Sequence, residues 1–385
     1  MEPKFSILIP TWNNLPFLQL CIHSIRRNSA YPHQIIVHVN QGTDGTLDWV
    51  RSQGLDHTYS PDNIGVCLAM NTMRSLVQCD YIFYLNDDMY LLPGWDRALV
   101  EEIERLPDNR FFLSGTMIQP HSPLDVGILA NYGDTIEAFQ EERLLREYKD
   151  YPKADWAGAT WPPNLLHRQL WDLVGGYSIE YTPGMYSDPD LTAKLWMVGV
   201  RHFKGLGNCR AYHFETKTTG RIRKNDGNLQ FLLKWGITNS TFRRHLSRLG
   251  QPFPTDPAAL PSPAAMRQNR LRSRLKAIFK LLGKSHFGPI QPLQYAPRPC
   301  CGGAPLRRNT RPLHRPAVPP SPFFSPTTSD PASQPPAVNF CQRPGTPPTR
   351  PETSDNQHLT PIREALQHPA GEGPFTFLHP IFLIL

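Results

Sequence analysis

Apolar and polar positions follow two rhythms in the first third of the chain. Short apolar runs closed by polar or turn-forming residues read as buried strands: Phe5 to Ile9, stopped by Pro10, then Gln34 to Val39, Asp80 to Leu85, and Arg110 to Leu113, with His57 to Ser60 as a further short strand. Between these runs the apolar residues recur at helical spacing. Phe17, Leu18, Cys21, Ile22 and Ile25 predict a helix over 15–27, a short helix runs through Trp49, and Ala69, Met73 and Leu76 share one face of a helix over 65–77. An amphipathic helix is expected over 96–106. Strands that alternate with helices of this length imply an α/β fold with a mainly parallel sheet covered on both faces. In such sheets ligands bind at the carboxyl ends of the strands. Three polar loops fall there: Thr11-Trp-Asn13, Asn40 to Thr46, and Asn86-Asp-Asp88.

Further along, the rhythm is less regular and richer in aromatic residues and glycine. Helices are expected over 169–174 and 191–198 and a strand over 201–205; 250–265 reads as a Pro-rich linker. Over 266–284 the chain is basic and amphipathic, with Leu271, Leu275, Ile278, Phe279 and Leu282 on one side. Such a segment either lies on an anionic membrane surface or packs on the domain as a basic helix.

Composition changes the picture at the C-terminal end. Of 41 prolines, 22 fall from Ser285 onward, and that stretch has no sustained apolar periodicity. It reads as a disordered, low-complexity tail over 285–385. The shift is abrupt, as a change of reading frame would produce. The expected organisation is therefore one α/β domain over 1–249, then the linker, the basic segment and the tail.

The net charge of +7 is concentrated. Between Arg221 and Lys284 there are 14 Lys or Arg, opposed by Asp226 and Asp256 alone. The block favours an anionic partner or forms a solvated basic face. No base-reading motif accompanies it, so nucleic acid is not expected as a partner. Cys21, Cys67, Cys79 and Cys209 read as buried free thiols, and no pair of the seven cysteines has Cys-x-x-Cys spacing. With no leader ahead of Phe5 and no apolar run of the ~20 residues that a membrane span requires, a cytoplasmic location is expected, with peripheral contact at the inner face of the membrane as an extension of it.

The strongest chemical signal is the pair Asp87 and Asp88 after a very apolar strand. Magnesium and similar hard cations take oxygen ligands, often one or two carboxylates plus substrate phosphates. The alternative is a solvated turn. The pair stands in a series: Ile9-Pro-Thr-Trp-Asn13, the Thr43-Asp-Gly-Thr46 loop, Asn63-Ile-Gly65 with Ala69 and Asn71, Asn86-Asp-Asp88, and Ser187-Asp-Pro-Asp-Leu191. In this order, over residues 4 to 215, the chain resembles the inverting family 2 glycosyltransferases of the GT-A fold.

The resemblance implies an enzyme that uses a nucleotide-sugar donor, a divalent metal (Mn2+ or Mg2+) and a glycan or lipid-linked sugar acceptor, as in polysaccharide biosynthesis, with the nucleotide-sugar half of the 1–249 domain over about 1–118 and the acceptor half over about 119–249. Pro10, Thr11, Asn13, Asn40, Asp44, Asn63, Gly65, Asn71 and Asp87 would serve the nucleotide sugar. Asp88 would hold the metal. Asp188 would be the general base. His213 matches a histidine that some members direct at the metal or diphosphate, and a structural histidine fits its position equally. Three departures bear on these roles. Asn40 stands where the family usually has a base-contacting Asp, Asn86 replaces the first Asp of the D-x-D turn, and Ser187 replaces the Glu before the base. A non-catalytic nucleotide-sugar-binding relative is the alternative they leave open. A nucleotidyltransferase fits less well, because Pro10 to Asn14 contains neither glycine nor a basic residue.

Overall fold

A computed structural model describes residues 2–121, 126–216 and 224–282; the tail expected over 285–385 and Arg221, Arg223 and Lys284 of the basic block lie outside them. The chain begins β1 (Phe5–Trp12), α1 (Leu15–Asn28), β2 (Gln34–Asn40), α2 (Thr46–Ser52), β3 (Asp56–Ser60), α3 (Gly65–Met73) and β4 (Tyr81–Tyr84). It continues with β5 (Met89–Leu91), α4 (Trp95–Arg105), β6 (Phe111–Gln119), β7 (Ile128–Leu129), α5 (Glu141–Glu147), β8 (Trp156–Ala157), β9 (Asn164–His167) and α6 (Arg168–Val174). Last come α7 (Ser187–Met197), β10 (His202–His213), α8 (Gly227–Trp235), α9 (Asn239–Thr241) and α10 (Pro263–Leu282).

The strands form one sheet in the order β3-β2-β1-β4-β9-β6-β10-β5, with β7 beside β6 and β8 beside β10. Strands β3, β2, β1 and β4 are mutually parallel. Strand β9 is antiparallel to both β4 and β6, and β5 is antiparallel to β10. The result is the mixed, mainly parallel α/β sheet that the apolar rhythm implies. Alternate residues explain why the strands read as unbroken apolar runs. Ile7, Ile9, Phe83 and Leu85 pack with α1 and α4 on one face. Leu8, Ile36, Ile82 and Tyr84 pack with residues of α3, α6 and α7 on the other. Pro10 sits beyond Leu8, the last residue of β1 paired with β4, so its missing N–H breaks no ladder bond on that side.

Three elements differ from the sequence expectation in ways that matter for the site. The helix expected to start at 191 starts at Ser187, which places Asp188 in its first turn. The strand expected over 201–205 runs on to His213, with a register shift against β6 between Leu206 and Arg210. The first residues of the expected linker are bonded to the domain: Ala157 N–H donates to Gln251 O at 2.8 Å, and Phe253 packs against the His202 ring at 4.9 Å. Cys21, Cys67, Cys79 and Cys209 are free and buried. Among the described residues no helix is long and apolar enough to cross a membrane.

Candidate functional site

The carboxyl ends of β1, β2 and β4 open into a cavity of about 430 Å³, closed on its far side by the 183–188 segment and the end of β10. Sequence order does not suggest this enclosure; strand register produces it. Because β5 pairs antiparallel with β10 and sets Met89 against His213, the turn before β5 is carried to the last residue of β10. Phe214 N–H donates to Asp88 O at 3.0 Å and fixes that meeting.

Asp88 is the anchor of this corner. Its Oδ2 accepts from Thr216 N–H at 3.0 Å and from the Thr216 hydroxyl at 2.8 Å. Its Oδ1 lies 3.4 Å from His213 Nε2. Burial pushes its carboxyl up, but the His213 charge and the hydrogen bonds from His213 and Thr216 outweigh that and hold it below the usual range. His213 is raised in return: burial disfavours its charge, and Asp88 more than compensates. Asp87 differs. Its Oδ2 accepts from Thr11 Oγ1 at 2.7 Å, yet burial and the neighbouring Asp88 charge push it up to about 7.

Whether these residues suit a divalent cation can be tested on Gln119. Its Nε2 lies 3.0 Å from His213 Nδ1, while its buried Oε1 has no hydrogen-bond partner. Turning the amide over would set Oε1 against an Nδ1–H, leaving the His213 Nε2 lone pair facing Asp88. One carboxylate and one imidazole make a small donor set. Among the described residues no group of three or more His, Cys, Asp or Glu gathers around one point. Such a set fits an ion that takes its remaining ligands from phosphate oxygens and water, as Mg2+ does.

Asp188, which lines the same cavity, lies in the first turn of α7, where unpaired N–H groups favour a carboxylate. Its Oδ1 accepts from the buried Tyr177 hydroxyl at 2.7 Å. Burial raises it to about 6, against a smaller lowering by that hydrogen bond. Asn71 sets Tyr177 in place by bonding both its N–H and its carbonyl, at 2.8 Å each. Asp190 faces the other way. It is fully buried, accepts from Ser178 and Trp235, and pairs with Lys234 at 2.9 Å. It ties α8 to α7 rather than capping a helix.

The side of the cavity formed by the ends of β1 and β2 is held together by Asn40. Its Oδ1 accepts from Ile64 N–H at 2.9 Å and its Nδ2 donates to Thr11 O at 3.2 Å. An aspartate in that place would lack the second bond. Asn63 Oδ1 accepts from Gly65 N–H, opening α3. Gly65 has φ +75°, and an added Cβ would stand 2.8 Å from Pro183 Cα, so only glycine lets the 183–188 segment close here.

Pro10, Thr11, Asn40, Asn63, Gly65 and Asp87 thus line the cavity, together with Asp88, Asp188 and His213. Asn13, Asp44 and Asn71 are not brought to its wall. Asn13 accepts from Thr43 N–H, Asp44 accepts from Leu15 N–H and from Thr46, and Asn71 serves Tyr177. Residues that sequence reasoning did not single out are Tyr177, Thr216, Gln119 and the cavity-lining Trp12. Trp156 is buried and donates to Thr116, which makes it a core residue.

Residues 6–141 match the model described as Glycosyl transferase family 2. The chain is 30% identical over 110 residues to a protein named "Uncharacterized glycosyltransferase EpsJ" from Bacillus subtilis, a match covering 27% of this chain and 32% of that one. It is 23% identical over 175 residues to "Putative teichuronic acid biosynthesis glycosyltransferase TuaG" from the same organism, covering 44% of this chain and 69% of that one. The chain therefore spans about a third of the first relative and about two thirds of the second. A crystal structure of Staphylococcus aureus TarS 1-349 in complex with UDP-GlcNAc superposes with a TM-score of 0.41 at 14% identity, over 55% of this chain and 61% of that one.

Proposed function

Residues 6–141 belong to glycosyl transferase family 2, and from that premise we propose that the chain moves a sugar from a nucleoside-diphosphate sugar to an acceptor hydroxyl by single displacement with inversion. The observation that carries this reading is the meeting of Asp188, Asp88 and His213 in one cavity, to which the family-matched segment brings Asp88 and the later elements α7 and β10 bring Asp188 and His213. Asp188 and His213 themselves lie beyond the matched residues, so their roles rest on this geometry.

In the proposed reaction Asp188 takes the proton from the acceptor hydroxyl as its oxygen attacks the anomeric carbon. Tyr177 holds the carboxylate through Oδ1 and leaves Oδ2 for the acceptor. Thr11, Asn40 and Asn63 would face the nucleoside, and Asp87 would meet a ribose hydroxyl. Asp88 and His213 would hold a divalent cation, whose charge would stabilise the departing diphosphate. A glycan or lipid-linked sugar is the acceptor class in this reading.

The test is metal-dependent hydrolysis or transfer across UDP-, GDP-, dTDP- and CDP-linked sugars. We expect activity with one nucleotide, abolished in Asp88→Ala and lowered ~100-fold or more in Asp188→Asn. Tight nucleotide-sugar binding without turnover would instead identify a non-catalytic binding protein.

A further inference from the structure

Helix α10 turns outward the face that a water-facing helix normally buries. Met266 and Ser273 are buried on its inner side. The Ser273 hydroxyl accepts from Thr238 N–H at 3.3 Å, Asn269 approaches His245 at 3.4 Å, and Lys280 donates to Asn228 Oδ1 at 3.3 Å. These contacts are small or polar. On the opposite side Leu271 is 61% exposed, Leu275 49%, Ile278 52% and Phe279 71%. At about 100° per residue the four form one stripe facing away from Ser273. Arg267 and Arg274 fall along one margin of it, Arg272 and Lys276 along the other. No acidic residue occurs between Pro263 and Leu282.

We propose that α10 is a surface-binding helix that lies on an anionic lipid bilayer, with Leu271, Leu275, Ile278 and Phe279 set into the headgroup and acyl boundary. The charge decides the occupant. An apolar stripe edged by cations on both sides matches a surface that is apolar within and anionic above, and basic residues near such a surface each strengthen binding about fivefold. A second copy of the chain docked on the same stripe would bring like-charged margins together. A nucleic acid would use the cations and leave the stripe in water. The helix is also joined to the cavity rim: Asn228, which accepts from Lys280, donates to the hydroxyl of Tyr186 at 2.9 Å, between the cavity-lining residues Met185 and Ser187. A bilayer held by α10 would therefore lie near the cavity mouth, where a lipid-linked acceptor could enter. That consequence rests on the glycosyl-transfer reading; the surface binding stands on the helix alone.

The experiment is cosedimentation of the full chain with vesicles of phosphatidylcholine alone and with about one third phosphatidylglycerol, at low and high salt, beside sedimentation velocity without lipid. The expected result is binding to the anionic vesicles, weakened by salt. Leu275→Glu/Phe279→Glu should lower it at least tenfold, with unchanged melting temperature and unchanged nucleotide-sugar hydrolysis. Arg272→Glu/Lys276→Glu, which leaves the stripe intact, should also lower it about tenfold or more. The proposal is overturned by equal binding to both vesicle types, by no binding to either, or by self-association in solution that the Leu275/Phe279 variant abolishes. Because vesicle binding is read without turnover, its failure is separable from a failure to transfer sugar.

Discussion

A carboxylate that must accept a proton has to be ionised at working pH yet remain basic enough to bind the proton. Asp188, raised to about 6 by burial and held by the Tyr177 hydroxyl, meets both needs. Because its folded pKa lies above the unfolded value, the folded state binds the proton more tightly, and stability declines as pH rises from about 4 through 6. Asp188→Asn removes that cost. We expect the variant to be slowed ~100-fold or more and, by urea unfolding, more stable at pH 8 by about 1 kcal/mol, a figure discounted because the carboxylate faces the open cavity. At pH 4 the gain should vanish. Tyr177→Phe tests the neighbour. It removes a bond to the ionised form, so the pKa of Asp188 should rise further. The acid limb of the kcat profile should then move upward from about pH 6, with KM for the donor little changed; an unmoved limb would mean that Tyr177 only packs. Asp88 and Asp188 were legible in the sequence because each sits in a short polar motif. Tyr177, Thr216 and Gln119 were not, because each is one polar side chain in an irregular stretch and acquires its meaning only from the partner that the fold supplies.

At the level of elements, the connection from α1 to β2 is fastened to the start of α4 by a single buried carboxylate. Asp96 Oδ2 accepts from Ala30 N–H at 2.6 Å and Tyr31 N–H at 2.9 Å, and lies 3.1 Å from His33 Nε2. Burial alone would raise Asp96; the bonds from His33, Tyr31 and Ala30 outweigh it and hold it low. A depressed pKa contributes stability that is present above the unfolded value near 4 and lost as pH falls through the folded one. Asp96→Ala leaves two N–H groups and an imidazole without their acceptor, so we expect a loss of about 3 kcal/mol at pH 7, shrinking toward pH 3, measured by urea unfolding at both. The parallel half of the sheet was legible because its strands are buried on both faces and its helices show one apolar side. Strands β5 and β9 were not, since three or four residues carry no readable period. Strand β10 was cut short because its middle contains Gly205, Gly207 and Asn208, which read as a strand end but are the site of its irregular pairing with β6.

For the whole molecule, the cavity joins two groups of elements. One wall is the parallel β1, β2 and β4 ends, which supply Thr11, Asn40 and Asp87. The other is α7 and the end of β10, which supply Asp188 and His213. Gly65 lets the walls approach by having no Cβ against Pro183, and Asn40 ties together two loops of the first wall. A nucleoside diphosphate bound with Mn2+ touches both walls at once in the proposed arrangement. At about 100 times its dissociation constant it should add about 2.7 kcal/mol to stability. For a domain of this size that corresponds to a melting-temperature rise of about 5–10 °C. Hydrogen exchange places the effect. Slowing should appear both in the backbone N–H groups around Ile64 to Val66 and in those around Ser187 to Asp190, because the ligand bridges them. Slowing of the first set alone would mean that the nucleotide rests on the parallel strands without engaging α7, and Asp188 would then have no leaving group in line with it. In Asp88→Ala the Mn2+-dependent part of the rise should disappear, while any metal-free nucleotide binding to Thr11 and Asn63 should survive. That difference between the two arms separates the cation site from the nucleoside wall without requiring the acceptor to be known.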